Sequence, residues 1–147
     1  MRSHRFLDHT ADVLLHAEAD SLAELLAACG EGMFAVIVED GEVREGTSIE
    51  IAGRVDDDVA ADGEAACAEE LVHSWLRELL FYCSADGLVF ARFDVQEATP
   101  AGFRAMCHGE PLDPARHRGT EIKAVTYHGF RVERTPGGWL AEVLFDI

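Results

Sequence analysis

Basic residues are scarce in this chain. Lysine and arginine together number 12 against 28 aspartates and glutamates, a formal net charge of −16 over 147 residues. A field of that sign repels phosphate backbones and argues against direct, stable binding to RNA or DNA. A basic protein partner or a bound cation suits the charge, and so does plain solubility. No apolar run reaches the roughly 20 residues that a membrane-spanning helix needs. Met1-Arg2-Ser3-His4-Arg5 leads directly into a strand-like segment without the apolar stretch of a signal peptide, so the expected location is the cytoplasm. The four cysteines, Cys29, Cys67, Cys83 and Cys107, form no C-x-x-C pair, which removes a zinc ribbon and a thioredoxin motif. Cys29 and Cys83 sit among apolar neighbours as small core residues, and all four read as reduced thiols without a catalytic role. No G-x-S-x-G, P-loop or H-E-x-x-H pattern occurs. Internal repeats, linkers and low-complexity stretches are missing too.

Hydrophobic residues make up 48% of the chain, which marks a globular protein, and the length suits one domain over residues 1–147. Residues 3–7 and 12–19 read as short strands around an Asp8–Asp12 turn. Asp20 or Ser21 can cap a helix, with Glu24 in its first turn. Leu22, Leu25, Leu26, Cys29, Met33, Phe34 and Ile37 recur at helical spacing and predict one buried stripe over about residues 21–38. Gly30 and Gly32 weaken that helix and allow close packing on a sheet. Residues 47–55 alternate as a strand. Asp56-Asp57-Asp58 opens an acidic loop whose spacing does not match an EF-hand and which reads as solvated. A second helix over 64–84 carries Ala68, Leu71, Val72, Trp75, Leu76, Leu79 and Leu80 on a wide apolar face, with His73 and Arg77 on the other side. Gly87 can take the left-handed cap. Strands follow at 88–97, 102–110, 121–128, 129–134 and 139–145, with Pro136-Gly137-Gly138 as the last hairpin turn. The expected fold is α+β, a single domain with two main helices packed on a mixed, largely antiparallel sheet.

The two ends of the chain hold the candidate chemistry. Asp12 stands at a strand mouth, within Asp8-His9-Thr10-Ala11-Asp12. On local sequence alone Asp8 and Asp12 suit a turn, because Asp bonds its own backbone. The chain closes as Phe145-Asp146-Ile147, inside an apolar strand. If that strand neighbours the Asp12 strand, the Asp12 and Asp146 side chains and the terminal carboxylate at Ile147 converge. Clustered carboxylates are unfavourable without a counter-charge, and a hard divalent cation supplies one. Otherwise Asp146 is a surface residue and Ile147 frays. Lys123 is the lone basic residue in an otherwise apolar stretch, Ile122 to Tyr127, aimed at the acidic cluster, at a partner or simply at solvent.

These residues resemble the archease family. The resemblance rests on His9-Thr10-Ala11-Asp12, the Met33-Phe34 helix, and Leu71 to Phe81 with its Trp-Leu-x-Glu-Leu-Leu core. It rests also on Gly119 to His128 and on the terminal Phe145-Asp146-Ile147, so that it spans essentially the whole chain. The resemblance implies a protein that is not an enzyme and has no catalytic residues of its own. It implies an activator of the GTP-dependent RNA ligase of the RtcB family, in tRNA splicing and RNA repair, that promotes ligase guanylylation and multiple turnover. It implies a metal site at Asp12, Asp146 and Ile147 that takes calcium, with magnesium or manganese as further candidates. Lys123 matches the family's functionally important lysine, and His9 joins it as a partner-activation residue. The acidic loop 56–63 holds more aspartate than the family pattern leads one to expect. Two other classes stay open. One is a metal-dependent hydrolase of a small phosphorylated substrate, with His9 as the residue nominated for its chemistry. The other is a chaperone-like adaptor without metal function.

Overall fold

The structure is a computed structural model that describes residues 1–7 and 12–147. Its elements run β1 (Ser3–Leu7), β2 (Asp12–Ala19), α1 (Leu22–Ile37), β3 (Thr47–Arg54), α2 (Asp57–Ala60) and α3 (Glu64–Asp86). They continue as β4 (Leu88–Thr99), β5 (Gly102–Pro111), β6 (Ala124–Val125), β7 (Arg131–Thr135) and β8 (Gly138–Asp146). The α+β class stands, and the strands divide between two sheets. One has the order β1-β2-β8-β6, with β7 also paired to β8; the other has the order β3-β5-β4. The strand pairs in both are antiparallel.

Helix α1 begins where Ser21 accepts a hydrogen bond from the Glu24 backbone N–H at 3.2 Å. Its buried positions, from Leu22 to Ile37, surround the axis and do not keep to one stripe. A helix apolar all round is covered all round, and the two glycines show by what. A Cβ on Gly30 would stand 3.2 Å from the Phe93 ring of β4, and one on Gly32 would stand 2.6 Å from Leu15 Cδ1 of β2. The two positions face different sheets, so α1 is the filling between them. Helix α3 packs beside it. Trp75 and Leu76 are fully buried, and Trp75 meets the Phe93 and Phe103 rings edge-on at centroid distances of 5.8 and 5.3 Å. Gly87 ends α3 at φ 66°, the left-handed cap that its residue type favours.

In the larger sheet, Leu15, Ala17 and Ala19 of β2 and Trp139, Ala141, Val143 and Phe145 of β8 face the core. The alternating positions of both strands lie on the outer face.

Several expectations need correction. His73 is 2% exposed and belongs to the buried side of α3, although Arg77 is exposed as expected. The stretch 121–128 contributes only a two-residue strand, Ala124–Val125. The acidic loop folds a short helix, Asp57–Ala60, whose two aspartates, like Asp56 just before them, are exposed. Cys83 is only partly buried, whereas Cys29 is fully buried, and all four cysteines are unpaired.

Candidate functional site

The pairing register of the long ladder puts Asp12 directly opposite Asp146. Their neighbours Val13 and Phe145 pack against the core, so the two carboxylates share the outer face at the end of the sheet. Side chains so paired stand with their Cβ atoms about 5 Å apart, and like charges there oppose each other. On the far side of β8, Ala124 of β6 pairs with Asp146, and the Lys123 backbone N–H donates to the Asp146 carbonyl at 2.7 Å. The structure therefore brings Asp12, Asp146 and Lys123 together from three separate parts of the chain. Lys123 is exposed and is the only lysine in the sequence. Asp8 and His9 lie outside the described residues.

The next polar layer on the same face offers a contrast. His16 pairs with Glu142 in register, and its Nδ1 donates to Glu142 Oε2 at 3.0 Å. Arg131 donates to the other carboxylate oxygen at 2.8 Å. These bonds, that from His16 first, hold the Glu142 carboxyl below its usual range. Glu142 thus has a counter-charge, Arg131, and a second hydrogen-bond donor built in. Among the described residues, no ion pair includes Asp12 or Asp146.

The donor set at the sheet end is two carboxylates, with Ile147 adjoining them. Among the described residues, no group of three or more His, Cys, Asp or Glu side chains is placed to hold a metal ion. Two hard oxygen donors suit calcium, magnesium or manganese, and a third ligand must come from another source, such as a chain carboxylate or water.

Other reactive side chains are held differently. Ser48 donates to His108 Nδ1 at 2.7 Å, and His108 Nε2 donates to Asp94 at 2.8 Å. This row ties β3, β5 and β4 across an open sheet face, and Arg92 further engages both Asp94 and Glu45. Cys83 lines a cleft of about 370 Å³ between α1, α3 and the 112–122 segment. Burial and the nearby Glu121 push its thiol up, away from the thiolate that a nucleophile needs.

Reading the sequence alone missed His73 and Tyr127. Their rings stack at 3.7 Å, 11° from parallel, and Tyr127 donates its hydroxyl to Glu70 at 3.2 Å. The signal was present: His73 precedes Leu76 by three residues and Leu80 by seven, which puts it at the edge of the apolar stripe.

The sequence model of the Archease protein family (MTH1598/TM1083) matches residues 4–147. The chain belongs to the archease family. It is 36% identical to the protein archease of Methanopyrus kandleri, covering 96% of each chain. It is 36% identical to that of Pyrococcus furiosus over the full length of both. An archease-like protein of Drosophila melanogaster is 35% identical over 88% of this chain and 79% of its own. Among solved structures, the solution structure of Methanobacterium thermoautotrophicum protein 1598 superposes with a TM-score of 0.71 at 27% identity, covering 98% of each chain. The crystal structure of a Thermotoga maritima archease, described as a possible chaperone, gives 0.54 at 22% identity over 96% of this chain and 94% of that one. The second likeness concerns the fold alone. Archease membership agrees with the α+β architecture, and none of the described helices is long and apolar enough to cross a membrane.

Proposed function

We propose that this archease is a non-enzymatic activator of a GTP-dependent RNA ligase of the RtcB family, acting in tRNA splicing and RNA repair. It would promote guanylylation of the ligase and its multiple turnover. The observation that carries the reading is the Asp12–Asp146 pair, opposed in register and without a basic partner among the described residues. Such a pair favours a divalent cation as its counter-charge. Asp12 and Asp146 would hold it, with a terminal carboxylate at Ile147 as the third donor. When bound, the ion supplies charge neutralisation for phosphate oxygens. The chain's own part is to hold the two carboxylates rigidly at the end of a paired ladder. Lys123 adds one positive charge beside them for the ligase surface. The net charge of −16 fits a protein partner and disfavours a bare nucleic acid.

The test mixes the purified protein with such a ligase and follows guanylylation with and without calcium, magnesium or manganese. Faster guanylylation that is lost in Asp12→Asn and Asp146→Asn supports the reading. Stimulation that survives both substitutions points to an adaptor without metal function, in line with the possible chaperone role described for the Thermotoga maritima protein. Tight, salt-sensitive binding to bare tRNA would instead contradict a protein partner.

A further inference from the structure

His73 lies on α3, yet it reaches the strand that borders the acidic pair. Its Nε2 is 3.1 Å from the carbonyl oxygen of Val125. A carbonyl only accepts, so Nε2 carries the proton and Nδ1 is the bare nitrogen. That Nδ1 is buried and has no partner. The ring stacks against Tyr127 and meets Phe130 edge-on at 5.4 Å. Each contact falls on the stretch that starts at Lys123, whose backbone N–H is bonded to Asp146. The ladder that fixes this stretch to β8 is short: β6 is two residues long, flanked by the Lys123 N–H bond to Asp146 and a Thr126 N–H bond to the Leu144 carbonyl, so the contacts from α3 add to a small set. A buried ring nitrogen without a partner is unfavourable, and an apolar ring would fill the same space without that cost. What the imidazole adds is one directed donor.

We propose that His73 is a positioning residue, which latches the Lys123–Tyr127 segment against the Asp146 end of β8. The inference rests on the reading of Lys123 and Asp146 given above. The donor to Val125 fixes β6 along its strand direction, and the stack beneath Tyr127 fixes its tilt. Together they set where Lys123 stands relative to Asp146. Arg77 and Glu70 of α3 and Tyr127 are the charged and titratable groups around the ring. Burial outweighs the Val125 bond and Glu70, which favour a charged imidazole, and with Arg77 moves the ring towards the neutral form that donates from Nε2.

Two variants separate the donor from the ring. His73→Phe keeps an aromatic ring under Tyr127 and removes the donor; His73→Gln restores a donor near the Nε2 position and removes the ring. Amide hydrogen exchange at Lys123 and stimulation of the ligase are read for both, alongside thermal unfolding. In His73→Phe the Lys123 amide should exchange about five- to tenfold faster, the worth of one hydrogen bond. Stimulation should fall with it, while the melting temperature holds. His73→Gln should recover Lys123 protection and stimulation together. Unchanged Lys123 exchange in His73→Phe overturns the latch, whatever the ligase does. Faster exchange with undiminished stimulation overturns its bearing on the site. If the wild-type protein itself fails to stimulate the ligase, the proposed function fails, and the latch is still decided by the exchange rates.

Discussion

Trp75 donates its indole N–H to the carbonyl oxygen of Leu26 across 2.7 Å. The bond joins α3 to α1 at the level where both helices are covered by the two sheets. It satisfies the one polar atom of a fully buried tryptophan, and it fixes the relative height of the two helices. Leu76, the next residue, is also fully buried. Leu76→Ala should cost about 2–5 kcal/mol in denaturant unfolding, the range for an internal leucine whose cavity does not collapse. A loss under about half a kcal/mol, the level of a surface substitution, would show that the site is not core. Trp75→Phe should destabilise as well, since it leaves a void and frees no group that water can reach.

On the proposed reading, Lys123 bears on function without bearing on the fold. Its side chain is exposed, and the hydrogen bond it makes to Asp146 comes from the backbone. Lys123→Ala should therefore change stability by no more than about half a kcal/mol, as surface substitutions do, while ligase stimulation drops. Because no other lysine exists, acetylation of the intact protein modifies one side chain and the N-terminus. It should mimic the substitution, and an acetylated protein of full activity would remove Lys123 from the site.

A pH dependence follows from Glu110, which is 8% exposed. Arg116 donates to it first, the Arg44 backbone N–H second at 2.6 Å, and His117 Nε2 also lies against it at 3.2 Å. Together they hold its carboxyl at about 2, down from 4.5. A depressed folded-state value means that the native protein binds the proton less readily than the unfolded chain does. The stabilisation is then fully present above about pH 4.5 and is lost as pH falls towards about 2. Thermal melts across that window should show falling stability. Arg116→Ala should start lower and fall less steeply. A parallel pH profile for the variant would rule out this clasp as a source of acid sensitivity.

Much of the fold was legible in the sequence because it rests on periodicity. The stripe from Leu22 to Ile37 and the face from Ala68 to Leu80 located both long helices to within two residues. The alternations in β2 and β8 implied the faces on which Asp12 and Asp146 stand. What periodicity does not carry is partner choice. Nothing in the alternation of 88–97 or 102–110 says that these strands form a sheet apart from β2 and β8. The 121–128 stretch shows the same limit. Its apolar run reads as a full strand, but β7 occupies the edge of β8 from Gly138 to Glu142, so only Val143 to Asp146 are left, and β6 pairs with the last two of them. His73 was misplaced because a histidine at the margin of an apolar stripe reads as polar; its burial depends on Tyr127 and Val125, more than fifty residues away. The pairing of the two acidic residues was foreseeable, whereas the ion that it would hold depends on a ligand set that the two strands alone do not complete.

If the acidic pair holds a cation as proposed, it makes opposite demands on stability with and without metal, and this gives it a distinctive signature. Without a cation, Asp12 and Asp146 repel across the ladder, by an amount on the order of 0.2–1 kcal/mol for a directly opposed pair. Asp12→Asn or Asp146→Asn should remove that repulsion and raise the melting temperature slightly in chelator. With calcium present, the wild-type protein should gain stability in proportion to the logarithm of ion concentration over its dissociation constant. The variants should gain little or nothing, so that the order of stabilities reverses as calcium is added. Where Ile147 supplies a carboxylate as the proposed third donor, a few residues appended after it turn that carboxylate into an amide; such an extension should cut the calcium response, whereas an N-terminal extension should leave it intact. Calorimetric titration and ligase guanylylation on the same five proteins complete the test. Melting temperatures that keep the same order at every calcium concentration would show that Asp12 and Asp146 do not hold an ion. An extended chain with the full calcium response would remove Ile147 from the ligand set while leaving the two aspartates in it.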